Sequence, residues 1–236
     1  MQQTLLDGWV LRFSKGFTKR SNSIVPLYSA CDESHVEDKI RYCENLYARE
    51  QLQTVFRIPS FLPDEMPQVG TLDGLLEKRG YQVQETSRVL CCNIPQPPDK
   101  PKPLAQAKFL ALNEWLSVYC DLTGMAEPAQ ALHRIILNSI GGECGFLVLY
   151  HANQPVACGL GVLERELVGI FDIFTHEQAR NQGFARCTVT SLMNWALERG
   201  AQQAYLQVVA DNHKATTLYK SLGFQEIYNY WYRIAQ

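Results

Sequence analysis

The sequence has no long hydrophobic run. Nothing in it approaches the ~20 apolar residues that a bilayer-spanning helix needs. Met1 to Trp9 has neither a basic start nor an apolar core, so no secretory leader is expected there. An excess of one charge is also missing. The 22 Lys and Arg residues stand against 24 Asp and Glu, a formal net charge of -2, and the cations form no block. That balance gives little footing for nucleic acid or an anionic membrane. Cysteine is present, but without a pattern. The eight thiols, Cys31, Cys43, Cys91, Cys92, Cys120, Cys144, Cys158 and Cys187, include no CxxC pair and no metal-ligand rhythm. Most lie inside apolar runs and read as free buried thiols of a reducing cytosol. These absences point to a cytoplasmic protein with no metal, no nucleic-acid partner and no membrane partner. They leave the oligomeric state open.

Against these absences stands a chain rich enough to build a sizeable core: 46% of its 236 residues are hydrophobic and 19% charged. That length suits one large domain or two small ones. One composition break divides it, Pro95-Gln96-Pro97-Pro98-Asp99-Lys100-Pro101-Lys102-Pro103. Proline fixes φ and lacks the backbone donor, so this stretch reads as an extended linker. The expected organisation is a smaller N-terminal α/β domain over 1–94, the linker over 95–103, and a second domain over 104–236.

In the second domain, 109–122 carries apolar residues at helical spacing, with Gly124 as a stop. Glu127-Pro128 opens another helix, whose apolar stripe is expected to be Ala131, Leu132, Ile135, Ile136 and Ile140. Three strands follow, 145–150, 156–163 and 167–174, as an antiparallel meander. Then come a helix over 183–199 with Gly200 as its cap, a strand over 204–209, a helix over 212–222 ended by Gly223, and a strand over 225–233. On that last strand Tyr228, Tyr230 and Tyr232 share one face. The order implies an α/β fold with a mixed sheet flanked by helices. In the first domain, strands are expected at 9–13, 23–28, 54–58 and 81–94, and helices at 36–53 and 72–79.

The chemistry-bearing segment runs from strand through loop to helix, Gly169 to Ala185. Arg180-x-x-Gly183-x-Ala185 falls where the helix begins. First-turn helix amides have no internal partners, and with the helix dipole they form an anion site. Gly183 lets the backbone approach a pyrophosphate, and Arg180 or Arg186 adds charge-assisted hydrogen bonds. Alone, this pattern also fits an ordinary capped helix. One helix and one strand later, Asn212, Ala215, Leu218, Tyr219, Gly223 and Phe224 spell NxxAxxLYxxxGF.

Both motifs, in this order, resemble the GNAT superfamily of acetyl-CoA-dependent N-acetyltransferases. The resemblance covers 104–236 and is strongest from Ile170 to Phe224. It implies acetyl-CoA as co-substrate and an amine as acceptor, a small molecule or a peptide. It further implies that the strand before the first motif splays from its neighbour, with Ile173, Phe174 and Thr175 holding the pantetheine arm. Asn181, Gln182, Gly183, Phe184, Ala185 and Arg186, with Arg180, would hold the pyrophosphate. Asn212 would contact the cofactor and Tyr219 would sit beside its sulfur. Many members carry proline where this chain has Glu177.

The implied mechanism is direct transfer in a ternary complex. A backbone N–H near Phe174 or Thr175 stabilises the oxyanion, and Tyr219 protonates the leaving thiolate. The general base is not fixed: Asp172, Glu164, Glu166, His176 and His213 all stand near the motifs. Bulky Phe171 and Phe174 favour acetyl over a longer acyl group. A non-catalytic acyl-CoA sensor is the alternative, and the intact Tyr219 argues against it. In the first domain, Leu75 to Tyr81 resembles Leu218 to Phe224, with Leu76 in place of the tyrosine and no RxxGxA loop. That domain therefore reads either as a degenerate GNAT-like repeat or as an unrelated cap. Trp9, Arg12, Phe17, Arg20 and Asn22 are its candidate acceptor-lining residues.

Overall fold

The computed structural model describes residues 2–28, 35–60, 68–95 and 104–236. Cys31 and the proline-rich segment from Gln96 to Pro103 lie outside the described residues. The chain folds into two compact units. One comprises Met1–Arg88, Val209–Asp211 and Tyr228–Gln236, and the other Val89–Val208 and Asn212–Ile227.

In the first unit, β1 (Gln2–Leu6), β2 (Trp9–Phe13) and β3 (Ile24–Pro26) form an antiparallel meander. The turn between β1 and β2 is Asp7-Gly8, with φ of 40° and 81°. That dipeptide is a strong two-residue hairpin signal, and β1 is a strand the hydrophobic pattern alone does not announce. A Cβ at Gly8 would lie 2.3 Å from the Tyr28 carbonyl oxygen, so no other residue fits there. Helix α1 (Val36–Arg49) leads to β4 (Val55–Pro59), which runs parallel to β3. Helix α2 (Gln68–Lys78) leads to β5 (Gln82–Asn93). Ile40, Cys43 and Tyr47 recur at helical spacing on α1 and pack on Leu11, Ile24, Phe56 and Leu76.

In the second unit, β6 (Gln106–Phe109) pairs antiparallel with β7 (Glu143–His151) at the sheet edge. The expected helix from Phe109 therefore starts later: α3 is Leu112–Thr123, because Gln106 to Phe109 is spent on an edge strand. Strands β7, β8 (Gln154–Glu164) and β9 (Leu167–Thr175) form the expected meander. Strand β10 (Gln203–Val209) lies parallel to β9, so the sheet is mixed. Helix α5 (Phe184–Leu197) and α6 (His213–Ser221) share one core with the sheet. Trp115 and Leu116 of α3 and Leu137 of α4 (Ala129–Asn138) share another. The stripe expected on α4 is corrected: His133 and Leu137 are its buried residues, while Ile135 is exposed. The last strand, β11 (Gln225–Ile234), enters the first unit from Tyr228 onward and pairs antiparallel with β4.

Candidate active site

The site grows from the place where β9 and β10 part. Their parallel ladder runs from Leu167 opposite Gln203 to Ile170 opposite Leu206 and stops there, although both strands continue. The Phe171 ring meets the Tyr205 ring edge-on at 5.8 Å at this point. On the other side of β9, the register against β8 shifts between Cys158 and Leu160. Asp172 and Ile173 thus stand together opposite Gly159, and Asp172 adopts a φ of 50°. This is a β-bulge, which re-aims side chains and bends the strand. A Cβ at Gly159 would lie 2.5 Å from Ile173 Cδ1, so a larger residue opposite the bulge would push the Ile173 side chain aside. The outcome is that Ile173, Phe174 and Thr175 have no β10 ladder partner, and all three side chains are half-buried.

The chain then turns through a short 3-10 segment, Glu177–Ala179, into the loop that starts α5. Buried Ala179 and Phe184 pin the two ends of this loop, and Asn181 to Gly183 is exposed between them. Gly183 is the N-cap of α5 with φ of 92° and no side-chain cap. The first-turn amides of α5 therefore face outward uncapped, as an anion site requires. Arg180 donates from Nε to the Thr175 carbonyl at 3.4 Å and lies 3.5 Å from Glu177. Glu177 thus lies within ion-pair distance of Arg180 on the exposed face of the loop. Arg186 donates to Ser221 Oγ, which ties α5 to α6. Gln182 bonds back to the Gln178 carbonyl. Ala185 is half-buried.

Asn212 caps α6, its Oδ1 accepting from the Ala215 amide at 3.1 Å. Its oxygen is thus engaged in folding, and only its amide nitrogen faces other duties. Tyr219 is buried among Phe224, Leu206 and the helix α5 residues, in the same core against which Ile173 packs. Burial raises its phenol pKa, so it keeps its proton.

Of the five candidate bases, the structure distinguishes one. Glu164 and Glu166 flank the β8–β9 turn, at the end of β9 opposite the bulge. His213 is exposed at the start of α6, and half-buried His176 follows β9, its backbone amide donating to the Val156 carbonyl at 2.9 Å. Asp172 sits in the bulge, and its Oδ2 lies 3.1 Å from His133 Nε2. His133 carries no mark in the sequence. It occupies an unmarked helix position, and only its spacing of four from Leu137 hinted at a buried face. In the first unit, Trp9 is a core residue, edge-on to Phe56. Asn22 closes the β2–β3 loop by accepting from the Ser14 and Gly16 amides at 2.6 and 3.0 Å. The acceptor-lining role expected of these two residues is corrected accordingly, since their side chains are committed to folding.

Over residues 1–233 the sequence matches the family described as "Probable histone acetyltransferase Rv0428c C-terminal". The chain belongs to this family. It is thereby an acyltransferase of the GNAT superfamily. A curated relative, the "Uncharacterized N-acetyltransferase YobR" of Bacillus subtilis, is 25% identical over 235 residues, 98% of this chain and 92% of its own. The fold resembles the GCN5-related N-acetyltransferase of Kribbella flavida, with a TM-score of 0.73 at 16% identity over 99% of this chain and 88% of that one. It also resembles the GCN5-related N-acetyltransferase of Sphaerobacter thermophilus, with a TM-score of 0.70 at 14% identity over 90% and 72%.

Proposed function

We propose that the protein moves an acetyl group from acetyl-CoA to a primary amine by direct transfer in a ternary complex. The observation that carries this reading is the open edge of β9 running into an uncapped helix N-terminus at Gly183. The donor set fits the co-substrate. Backbone groups of Ile173, Phe174 and Thr175 would pair with the amide-rich pantetheine arm. The α5 amides with Arg180 and Arg186 would hold the pyrophosphate, across Asn181 to Ala185. The Asn212 amide nitrogen would reach the same arm. A backbone N–H at Phe174 or Thr175 would meet the developing oxyanion. Tyr219 would give its proton to the departing sulfur. Phe171 and Phe174 fill the α3/α4 side of the open edge, which favours a short acyl group. The acceptor is a small molecule or a peptide amine, and the protein works in the cytoplasm, where its buried thiols stay reduced.

The first unit is best explained as a worn copy of the second. In chain order β1–β3, α1, β4, α2 and β5 recur as β7–β9, α5, β10, α6 and β11, after an added β6, α3 and α4. The helix ends match in detail. Gly80 donates to the Glu77 carbonyl at 2.9 Å and Tyr81 to that of Leu76 at 2.9 Å; Gly223 donates to Lys220 at 3.0 Å and Phe224 to Tyr219 at 3.1 Å. Leu76, in the tyrosine's place, has no proton to give, so this copy would not catalyse transfer.

Calorimetry of acetyl-CoA with the purified protein tests the reading. One-to-one binding that Gly183→Val abolishes is expected. No binding by the unaltered protein sinks the proposal.

A further inference from the structure

Resting on the acetyl-transfer reading, we infer that Asp172 and His133 form a dyad that takes the proton shed by the acceptor amine. Asp172 receives the proton, and His133 is a positioning residue that fixes the carboxylate. The bulge is the first argument. It places Asp172 immediately before the open edge of Ile173 to Thr175, where the acyl group would lie. The second is the division of labour between the two side chains. His133 is 5% exposed and Asp172 30%, so the imidazole is locked and the carboxylate is reachable. The imidazole stands edge-on to the stacked pair of Trp115, at 6.3 Å, and Tyr119, at 5.1 Å. Its Nε2 points at Asp172 Oδ2, which leaves Oδ1 to meet the substrate.

The other groups facing Asp172 do not compete with it. Tyr119 comes from α3 and Cys158 from β8. Burial, and then the Asp172 charge, pushes both pKa values up, the thiol to about 12, so both stay protonated. That leaves Asp172 as the proton acceptor among them, with its carboxylate beside the open edge. Its face also matters. Phe171 and Phe174 pack with α3, whereas Ile173 and Tyr219 pack with α5 and α6. Base and acid therefore approach the thioester from opposite faces of the sheet, and neither neutralises the other.

R–NH3+ gives one proton to Asp172 Oδ1 and becomes the neutral nucleophile. Its lone pair forms the N–C bond while the C–S bond breaks. Sulfur leaves with that electron pair and takes the Tyr219 proton. The second nitrogen proton restores the phenol through solvent, and Asp172 later releases its proton to water. The products are amide, thiol and one proton.

The test uses the full chain, acetyl-CoA and two probe amines, with thiol release as readout. Benzylamine is protonated at neutral pH and needs the base, whereas 2,2,2-trifluoroethylamine is largely neutral and does not. Asp172→Asn should lower kcat/KM for benzylamine by about 100-fold, the lower end for a lost general base, and spare trifluoroethylamine. Calorimetric affinity for acetyl-CoA and the melting temperature should hold. His133→Phe should show the same selective loss, and His133→Gln, which keeps an N–H donor, should restore most of the benzylamine rate. Equal losses with both amines, or no loss with either, would overturn the dyad alone. A wild-type protein that does not bind acetyl-CoA removes the transfer reading beneath it.

Discussion

Tyr219 sits in the core with its phenol pKa raised by burial, a setting that keeps a proton available at neutral pH. Replacing it by phenylalanine removes the hydroxyl while leaving the ring contact with Phe224, whose centroid lies 6.0 Å away. Tyr219→Phe should therefore fold and bind acetyl-CoA as before, and steady-state thiol release should fall by about 100-fold. Undiminished turnover would remove the acid role. Tyr219, Gly183 and Arg180 were legible in the sequence because each belongs to a spaced motif with a stated chemical need. Asp172 stood among five candidates, since a carboxylate on a strand carries no mark of the bulge that re-aims it. His133 was invisible for a related reason. A histidine on a helix reveals its partner only when a strand from elsewhere in the chain arrives beside it.

Among the elements, α6 shows how a motif residue can serve the fold first. Asn212 caps the helix through the Ala215 amide, and the helix has only nine residues to hold its first turn. Asn212→Ala should cost about 1 kcal/mol of stability, the usual value of a lost N-cap, read as a lower denaturant midpoint. Asn212→Asp or Asn212→Ser should recover most of that loss. The helices and the meander of the second unit could be read from periodicity because their buried faces are long and regular. Strands β1 and β6 could not. Their residues are almost all exposed, so they lack the alternation that marks a half-buried strand. The stripe on α4 differs from the expected one because burial there falls on His133 and Leu137, a pairing whose polar member the hydrophobic pattern does not mark.

At the scale of the whole molecule, the half-buried ion pair of Arg233 and Asp73 offers the clearest dependence on solution conditions. Arg233 donates Nε and NH2 to the two Asp73 oxygens at 2.8 Å each, and Trp231 Nε1 donates to Asp73 Oδ1 at 2.8 Å. Burial by itself would raise the Asp73 pKa. The hydrogen bonds from Arg233 and Trp231 outweigh it and hold the carboxyl below its ordinary range. A carboxyl lowered by folding stabilises fully above its unfolded pKa, and that contribution disappears as pH falls through the folded value. The melting temperature should thus drop as pH is taken below about 4. Asp73→Asn should start lower near neutral pH and show a shallower acid limb in scanning calorimetry; an unchanged limb would mean that other carboxylates set it.

The allocation of β11 carries a consequence for biosynthesis. The first unit is translated first, yet β4 finds its antiparallel neighbour only in Tyr230 to Ile234. While the ribosome is still making the second unit, β4 presents an unsatisfied strand edge, the kind of surface that chaperones shield. The amino-terminal unit is therefore the last to be completed, and a nascent chain halted before Tyr228 would expose the edge of β4, made long before, rather than its newest residues.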